Sequence, residues 1–245
     1  KGLATTLAVA ITVTDVAEQG VTTSKASMSV GEAGTNTYTL VLDNAPTANV
    51  VITPASNNTS SATVSSALTF TTSNWSTPQT VTVTGVNDGN NINESVTVSH
   101  SVSSGDSDYN GISVSSVAVT MADDDTAGIT QSATSGTINE DGTGTYTVVL
   151  DSEPTSDVTV TISSNDTGAA TATSPLTFTS SNWSSAQTVT ITGVSDSDFT
   201  DESVTISHSV SGGGYDAVSM TNYTATITDT VITFAGLTYG LVTSP

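Results

Sequence analysis

An all-β chain of tandem sandwiches is predicted by three observations: period-two alternation, an internal repeat, and no segment with apolar residues at helical spacing. Tyr38, Leu40 and Leu42 alternate with Thr37, Thr39 and Val41. Val81 and Val83 alternate with Thr80, Thr82 and Thr84, and Val96, Val98 and Val102 with Thr97, Ser99 and Ser101. One apolar face per strand is the mark of antiparallel strands packed on one side. The alternation also excludes disorder, the competing reading of a polar, acidic chain. Serine and threonine make up about 36% of the 245 residues, a palette of exposed strands and turns.

The repeat is visible position by position. Thr35, Thr37, Tyr38, Thr39, Leu42 and Asp43 return 108 positions later as Thr143, Thr145, Tyr146, Thr147, Leu150 and Asp151. Pro46, Phe70, Trp75, Gln79, Gly85 and His100 keep that offset to Pro154, Phe178, Trp183, Gln187, Gly193 and His208. Asp123 and Asp229 lie 106 apart, which places a two-residue deletion near Gly212, Gly213 and Gly214. Thr12, Val13, Thr14 and Asp15 echo Thr120, Met121, Ala122 and Asp123. The expected organisation is a closing strand of a preceding repeat plus linker at 1–20, sandwiches at 21–126 and 127–231, and the start of a further module at 232–245. The closing strand itself is expected over Leu7 to Asp15. Turn chemistry separates the strands at Asp43 to Pro46, Asn57 and Asn58, Asn87 to Asn90, and Ser104 to Asp106. Seven or so short strands in about 105 residues fit an immunoglobulin-like sandwich.

Charge and composition exclude several functions. Twenty-three acidic residues stand against two basic ones, Lys1 and Lys25, for a net charge of -21. With no arginine, the chain cannot grip a phosphate backbone or an anionic bilayer, so neither nucleic acid nor a lipid surface is expected as a partner. No apolar run reaches the length of a membrane span. The absence of cysteine rules out disulfides, thiolate metal sites and a cysteine nucleophile. His100 and His208 occupy the same position on an alternating strand. A nucleophile–base pair should not be copied into every module of an array, so each is expected to be a neutral imidazole bonded to a backbone group. The expectation is no enzyme. Trp75 and Trp183 sit in Asn-Trp-Ser turns, where a large ring can plug the end of a sandwich or serve as a sugar-stacking platform; the plug suits an aromatic body with a polar tip.

The acids fall in three groups. Glu32 and Glu140 open the modules. Asp88 and Glu94, then Asp196, Asp198, Asp201 and Glu202, follow the Gln-Thr-Val strand. Asp123, Asp124 and Asp125 end the last strand, echoed by Asp229 and Asp15. Carboxylates crowded at one pole of a sandwich repel unless neutralised. Calcium, taking six to eight oxygen ligands, suits carboxylates mixed with asparagine and backbone carbonyls. The alternative is a plain acidic coat selected for solubility. Asn90 and Asn93 stand in the first repeat where the second has Asp198 and Asp201, so the second carries the more acidic set.

Ser29, Val30, Gly31, Glu32, Ala33 and Gly34 leading into Tyr38, then Gly85, Val86, Asn87 and Asp88 with Glu94, then Met121 through Asp125, together resemble the Calx-β module. The second repeat matches through Glu140, Asp196, Glu202 and Asp229, although it ends in Asp229-Thr230 rather than an aspartate triplet. The resemblance implies an immunoglobulin-like sandwich with calcium sites at one pole. The pattern Phe-Thr-x-x-Asn-Trp-x-x-x-Gln-Thr-Val-Thr is also similar to repeats of large bacterial surface proteins and adhesins. These resemblances imply a non-enzymatic stalk segment of a secreted, calcium-stabilised cell-surface protein. Its partners would be neighbouring repeats of the same chain or other subunits. Two alternatives stay open: a subunit of an extracellular filament or surface layer, whose threonine- and valine-rich edges lack a lysine guard, and a carbohydrate-binding module that takes cell-surface glycans.

Overall fold

The computed structural model describes residues 18–229. The strand expected over Leu7 to Asp15 and the module start expected at 232–245 lie outside the described residues. Every regular element among the described residues is a strand. They fall into two compact units, one of residues 18–88 with 93–123, the other of residues 89–92 with 124–229. Each unit is an immunoglobulin-like sandwich of a four-stranded and a five-stranded sheet.

In the first unit β1 (Val21–Thr23), β3 (Thr35–Leu42), β7 (Gln79–Gly85) and β5 (Ala62–Val64) form the smaller sheet, in the order β1-β3-β7-β5. The larger sheet has the order β2-β9-β8-β4-β6, from β2 (Ser27–Gly31), β9 (Val117–Ala122), β8 (Glu94–Ser104), β4 (Val50–Ser56) and β6 (Leu68–Phe70). The second unit repeats this plan. Its smaller sheet is β10 (Ile129–Gln131), β12 (Thr143–Leu150), β16 (Gln187–Gly193) and β14 (Ala170–Ala172). Its larger sheet is β11 (Ser135–Asn139), β18 (Tyr223–Thr228), β17 (Glu202–Ser211), β13 (Val158–Ser164) and β15 (Leu176–Phe178). Alternation does what period two requires. Tyr38, Leu40 and Leu42 point into the first core with Val81, Val83, Val96 and Val98, while Thr37 and Thr80 face outward.

One departure from the predicted antiparallel pairing positions everything that follows. After β1 the chain switches sheets, and β2 pairs in parallel with β9, Gly31 opposite Ala122. β11 and β18 do the same, Asn139 opposite Thr228. Alternation reports which face is buried and is silent on strand direction. Parallel strands end at the same pole, so Glu32 and Asp123, which follow their C-termini, become neighbours. The Glu32 N–H donates to the Ala122 carbonyl at 3.1 Å, and the Glu140 N–H to the Thr228 carbonyl at 3.0 Å.

The turn after β2 is tight. Ala33 and Asp141 adopt left-handed backbone, φ 52° and 56°, a conformation that disfavours a side chain. The end of β7 lies directly on this turn. A Cβ on Gly85 would meet the Gly31 carbonyl oxygen at 2.5 Å, and one on Gly193 the Asn139 carbonyl oxygen at 2.6 Å. Backbone cannot retreat as a flexible side chain can. Gly85→Ala and Gly193→Ala are each expected to lower stability by about 1–3 kcal/mol, read as a lower urea midpoint of the unit concerned.

At the other pole the two-residue deletion exchanges one device for another. In the first unit the buried Asp106 carboxylate accepts the Thr47 N–H at 2.7 Å and the Asp108 N–H at 3.0 Å. Those bonds, the one from Thr47 first, hold its carboxyl pKa below the usual aspartate range. In the second unit Gly212, Gly213 and Gly214 all take positive φ, and the Thr155 N–H goes to the Gly213 carbonyl at 3.2 Å. Three consecutive left-handed residues require glycine.

Candidate metal centre

The carboxylates predicted as ligands gather where β2, β7 and β9 end and β8 begins. In the first unit Glu32, Asp88 and Glu94 place carboxylate oxygens within 4.8 Å of one another. Glu32 arrives from the strained turn, Asp88 from the end of β7, and Glu94 from the first residue of β8, paired with Met121. Glu32 is 7% exposed, and its Oε1 is buried with no hydrogen-bond partner. Its Oε2 accepts only a long bond, 3.5 Å, from the Asp88 N–H. Burial raises the Glu32 carboxyl above its usual range, the Asp88 N–H opposes that, and the charges of Asp88, Asp123 and Glu94 add to it. An unsatisfied, desolvated carboxylate beside other carboxylates is unfavourable alone and suited to a hard cation.

The second unit builds a larger set. Glu140, Asp196 and Asp229 form one group within 4.8 Å, and Asp196, Asp198 and Glu202 another. Asp196 belongs to both. Its N–H donates to Glu140 Oε1 at 3.0 Å, which ties the β16–β17 loop to the turn after β11. Glu202 Oε2 and Asp229 Oδ2 are buried atoms with no hydrogen-bond partner. Desolvation raises the Glu202 carboxyl, reinforced by Asp196, Asp229 and Asp198. It raises that of Asp229 too, reinforced by Glu140, Asp196, Asp198 and Asp201.

The remaining predicted ligands lie as follows. Asp123 is half-buried after β9, and its N–H donates to Asn93 Oδ1 at 2.8 Å. Asp201 accepts the Asp229 N–H at 3.1 Å in the equivalent place. Asn93 and Asp201 therefore share one structural task, and the exchange of amide for carboxylate leaves that bond in place. Asn90 Oδ1 accepts the Ile92 N–H, as Asp198 Oδ1 accepts that of Thr200, so this exchange also preserves the loop. Asp124 is exposed and Asp125 half-buried, and both belong to the second unit. Phe199, between Asp198 and Asp201, is 70% exposed at the tip of the loop.

The histidines have a partner the sequence did not show, besides the backbone carbonyls of Ser115 and Thr221 that act on them. It is a tyrosine on the opposite sheet: the Tyr38 hydroxyl and His100 Nε2 lie 2.7 Å apart, and those of Tyr146 and His208 2.6 Å apart. A separation of 62 residues, identical in both repeats, was the available signal. Trp75 and Trp183 are half-buried and pack against their cores, and their carbonyls accept the Leu42 and Leu150 N–H groups. The surrounding motif is structural. Asn74 and Asn182 close the turn by accepting the Thr71 and Thr179 N–H groups at 2.6 Å. Gln79 and Gln187 donate to the Thr69 and Thr177 carbonyls on the edge strands β6 and β15.

No protein-family model matches the chain, and no curated protein matches it. Among solved structures it is similar to CBD12 from CALX1.2, at 16% identity over 78% of this chain and 81% of that one, with a TM-score of 0.34. It is similar to domains 4 and 5 of the S-layer protein SbsC, at 17% identity over 74% of this chain and 77% of that one, TM-score 0.34. It is also similar to the D00-D0 domain of intimin, at 14% identity over 87% of this chain and the whole of that one, TM-score 0.27.

Proposed function

We propose that this chain is a non-enzymatic spacer segment of a secreted, adhesin-like bacterial cell-surface protein, built from Calx-β-like sandwiches whose poles bind calcium. The observation that carries the reading is the buried, unpartnered Glu32 oxygen inside a carboxylate cluster, with a matching cluster around Asp196 in the second repeat. Glu32, Asp88, Glu94 and Asp123 would hold the ion in the first repeat, with Asp124 and Asp125 continuing the terminal run. Glu140, Asp196, Asp198, Glu202 and Asp229 would hold it in the second, with Asp201 anchoring Asp229. Bound calcium supplies positive charge and ties together segments far apart in sequence. The protein's own part is to present oxygens from the β2–β3 turn, the loop after β7 or β16, and the end of β9 or β18.

Other features support a spacer. Repetition adds length without adding chemistry. Among the described residues, six of the eight edge strands, β1, β5, β6, β10, β14 and β15, are three residues long and the other two, β2 and β11, five, so every edge is short for templating lateral pairing. The Thr69 and Thr177 carbonyls on two of them are already taken by glutamine side chains. That supports a spacer over a laterally assembling filament subunit. The packing of Trp75 and Trp183 on their cores supports it over a glycan-binding module. Light scattering coupled to gel filtration, run over a range of concentrations in calcium, tests the reading. A constant monomer mass is expected. Mass that grows with concentration would return weight to the filament.

A further inference from the structure

We infer that each sandwich carries an acid-release clasp: the tyrosine–histidine bond joining its two sheets reverses polarity when the imidazole gains a proton, and the module loosens. The geometry occurs twice. Tyr38 reaches from β3 of the smaller sheet to His100 on β8 of the larger, at 2.7 Å with the rings edge-on, centroids 5.6 Å apart. Tyr146 on β12 reaches His208 on β17 at 2.6 Å, centroids 5.8 Å apart. The tyrosines are 1% and 2% exposed, and the histidines half-buried.

The surroundings of each ring are uncharged. Pro54 of β4 lies opposite His100 in the sheet, the Ser115 carbonyl acts on its other flank, and no carboxylate contributes. His208 lies opposite Ile162 of β13 with the Thr221 carbonyl on its other flank. Tyr223 of β18 stacks on Tyr146 at 4.7 Å. The titratable group facing each histidine is thus its tyrosine.

The flanking carbonyl favours a proton on Nδ1, although that nitrogen is buried without a hydrogen bond of normal geometry. Nε2 is then a lone-pair acceptor and the phenol donates to it. A second proton must go to Nε2, where the phenol hydrogen already lies. The hydroxyl has to turn, and among the described residues neither hydroxyl has another hydrogen bond. Nε2–H then donates to the phenol oxygen, and the cost is a buried charge and a phenol hydrogen left without an acceptor. Desolvation accordingly lowers both imidazoles below their usual range. The unfolded chain takes up protons from about pH 6.5 downward while the folded chain resists. Stability is therefore full above that pH and is lost as pH falls toward the depressed folded value.

The test is urea unfolding of the whole chain in chelator at about pH 7.5 and about pH 5.5, wild type against the double variant His100→Gln and His208→Gln. Glutamine can accept from the phenol and does not titrate. The carboxylates titrate alike in both proteins, so the difference isolates the rings. The wild-type unfolding constant is expected to rise with acid more than the variant's, by up to roughly tenfold per ring. Identical acid dependence would overturn the proposal. Should the variant fail to fold, NMR titration of the wild-type imidazoles decides. Midpoints below the free value are expected, and Tyr38→Phe with Tyr146→Phe should move them upward. Midpoints near about 6.5 in the native wild type would overturn it.

Discussion

Glu32→Gln is expected to leave the first repeat almost unresponsive to calcium while raising its stability in chelator. The wild-type side chain holds a buried, unpartnered oxygen among other carboxylates, so neutralising it removes both desolvation and repulsion. For the wild type, calcium at a hundredfold above its dissociation constant should add about 2.7 kcal/mol per site. That is on the order of ten degrees for a sandwich of this size. Glu140→Gln should weaken the calcium response of the second repeat, leaving that of the first unchanged. Calorimetry in calcium and in chelator reads both. A calcium-induced rise of equal size in Glu32→Gln and wild type would remove this residue from the site.

The second large effect lies at the opposite pole. Tyr215→Phe is expected to destabilise the second repeat by roughly 3 kcal/mol, since buried backbone groups each lose about 1–3 kcal/mol when left unpaired. The Tyr215 hydroxyl donates to the Ser152 carbonyl at 2.6 Å and accepts the Ser152 N–H at 3.2 Å, with Ser152 fully buried. Tyr109 makes the same pair of bonds to Asn44. Asn44 is only half-buried and water can replace the phenol, so Tyr109→Phe should cost about half as much. Urea midpoints of the two variants check the order as well as the size.

These examples mark how far the fold and site could be read from residues alone. Burial alternation is local, and Tyr38, Leu40, Val81, Val83, Val96 and Val98 all lie inside as their spacing requires. Repetition extended this to the site: Glu32, Asp88 and Glu94 recur as Glu140, Asp196 and Glu202, and the fold gathers the first trio together and sets Glu140 and Glu202 in two groups that share Asp196. Strand direction was not legible. The parallel pairing of β2 with β9 is set by where the chain crosses between sheets after Thr23, and no periodicity encodes that crossing. Bonds between sheets were equally hidden. Tyr38 and His100 each read as an ordinary inward position and Asn44 as a turn residue, because a hydrogen bond spanning about 60 residues leaves no local pattern. The asparagines at 90 and 93 read as weakened ligands, whereas the fold gives them loop bonds that Asp198 and Asp201 also make.

Thermal unfolding of the wild-type chain in calcium, in magnesium and in chelator, at matched ionic strength, tests the central claim most directly. The midpoint should rise with the logarithm of calcium above the dissociation constant, within the range of about 10⁻⁴ to 10⁻³ M usual for extracellular modules. Magnesium, which prefers a small octahedral shell and keeps its waters, should raise it far less. Superimposable melts in calcium and chelator would contradict the account and leave the acidic pole of each repeat as an uncoordinated charged coat.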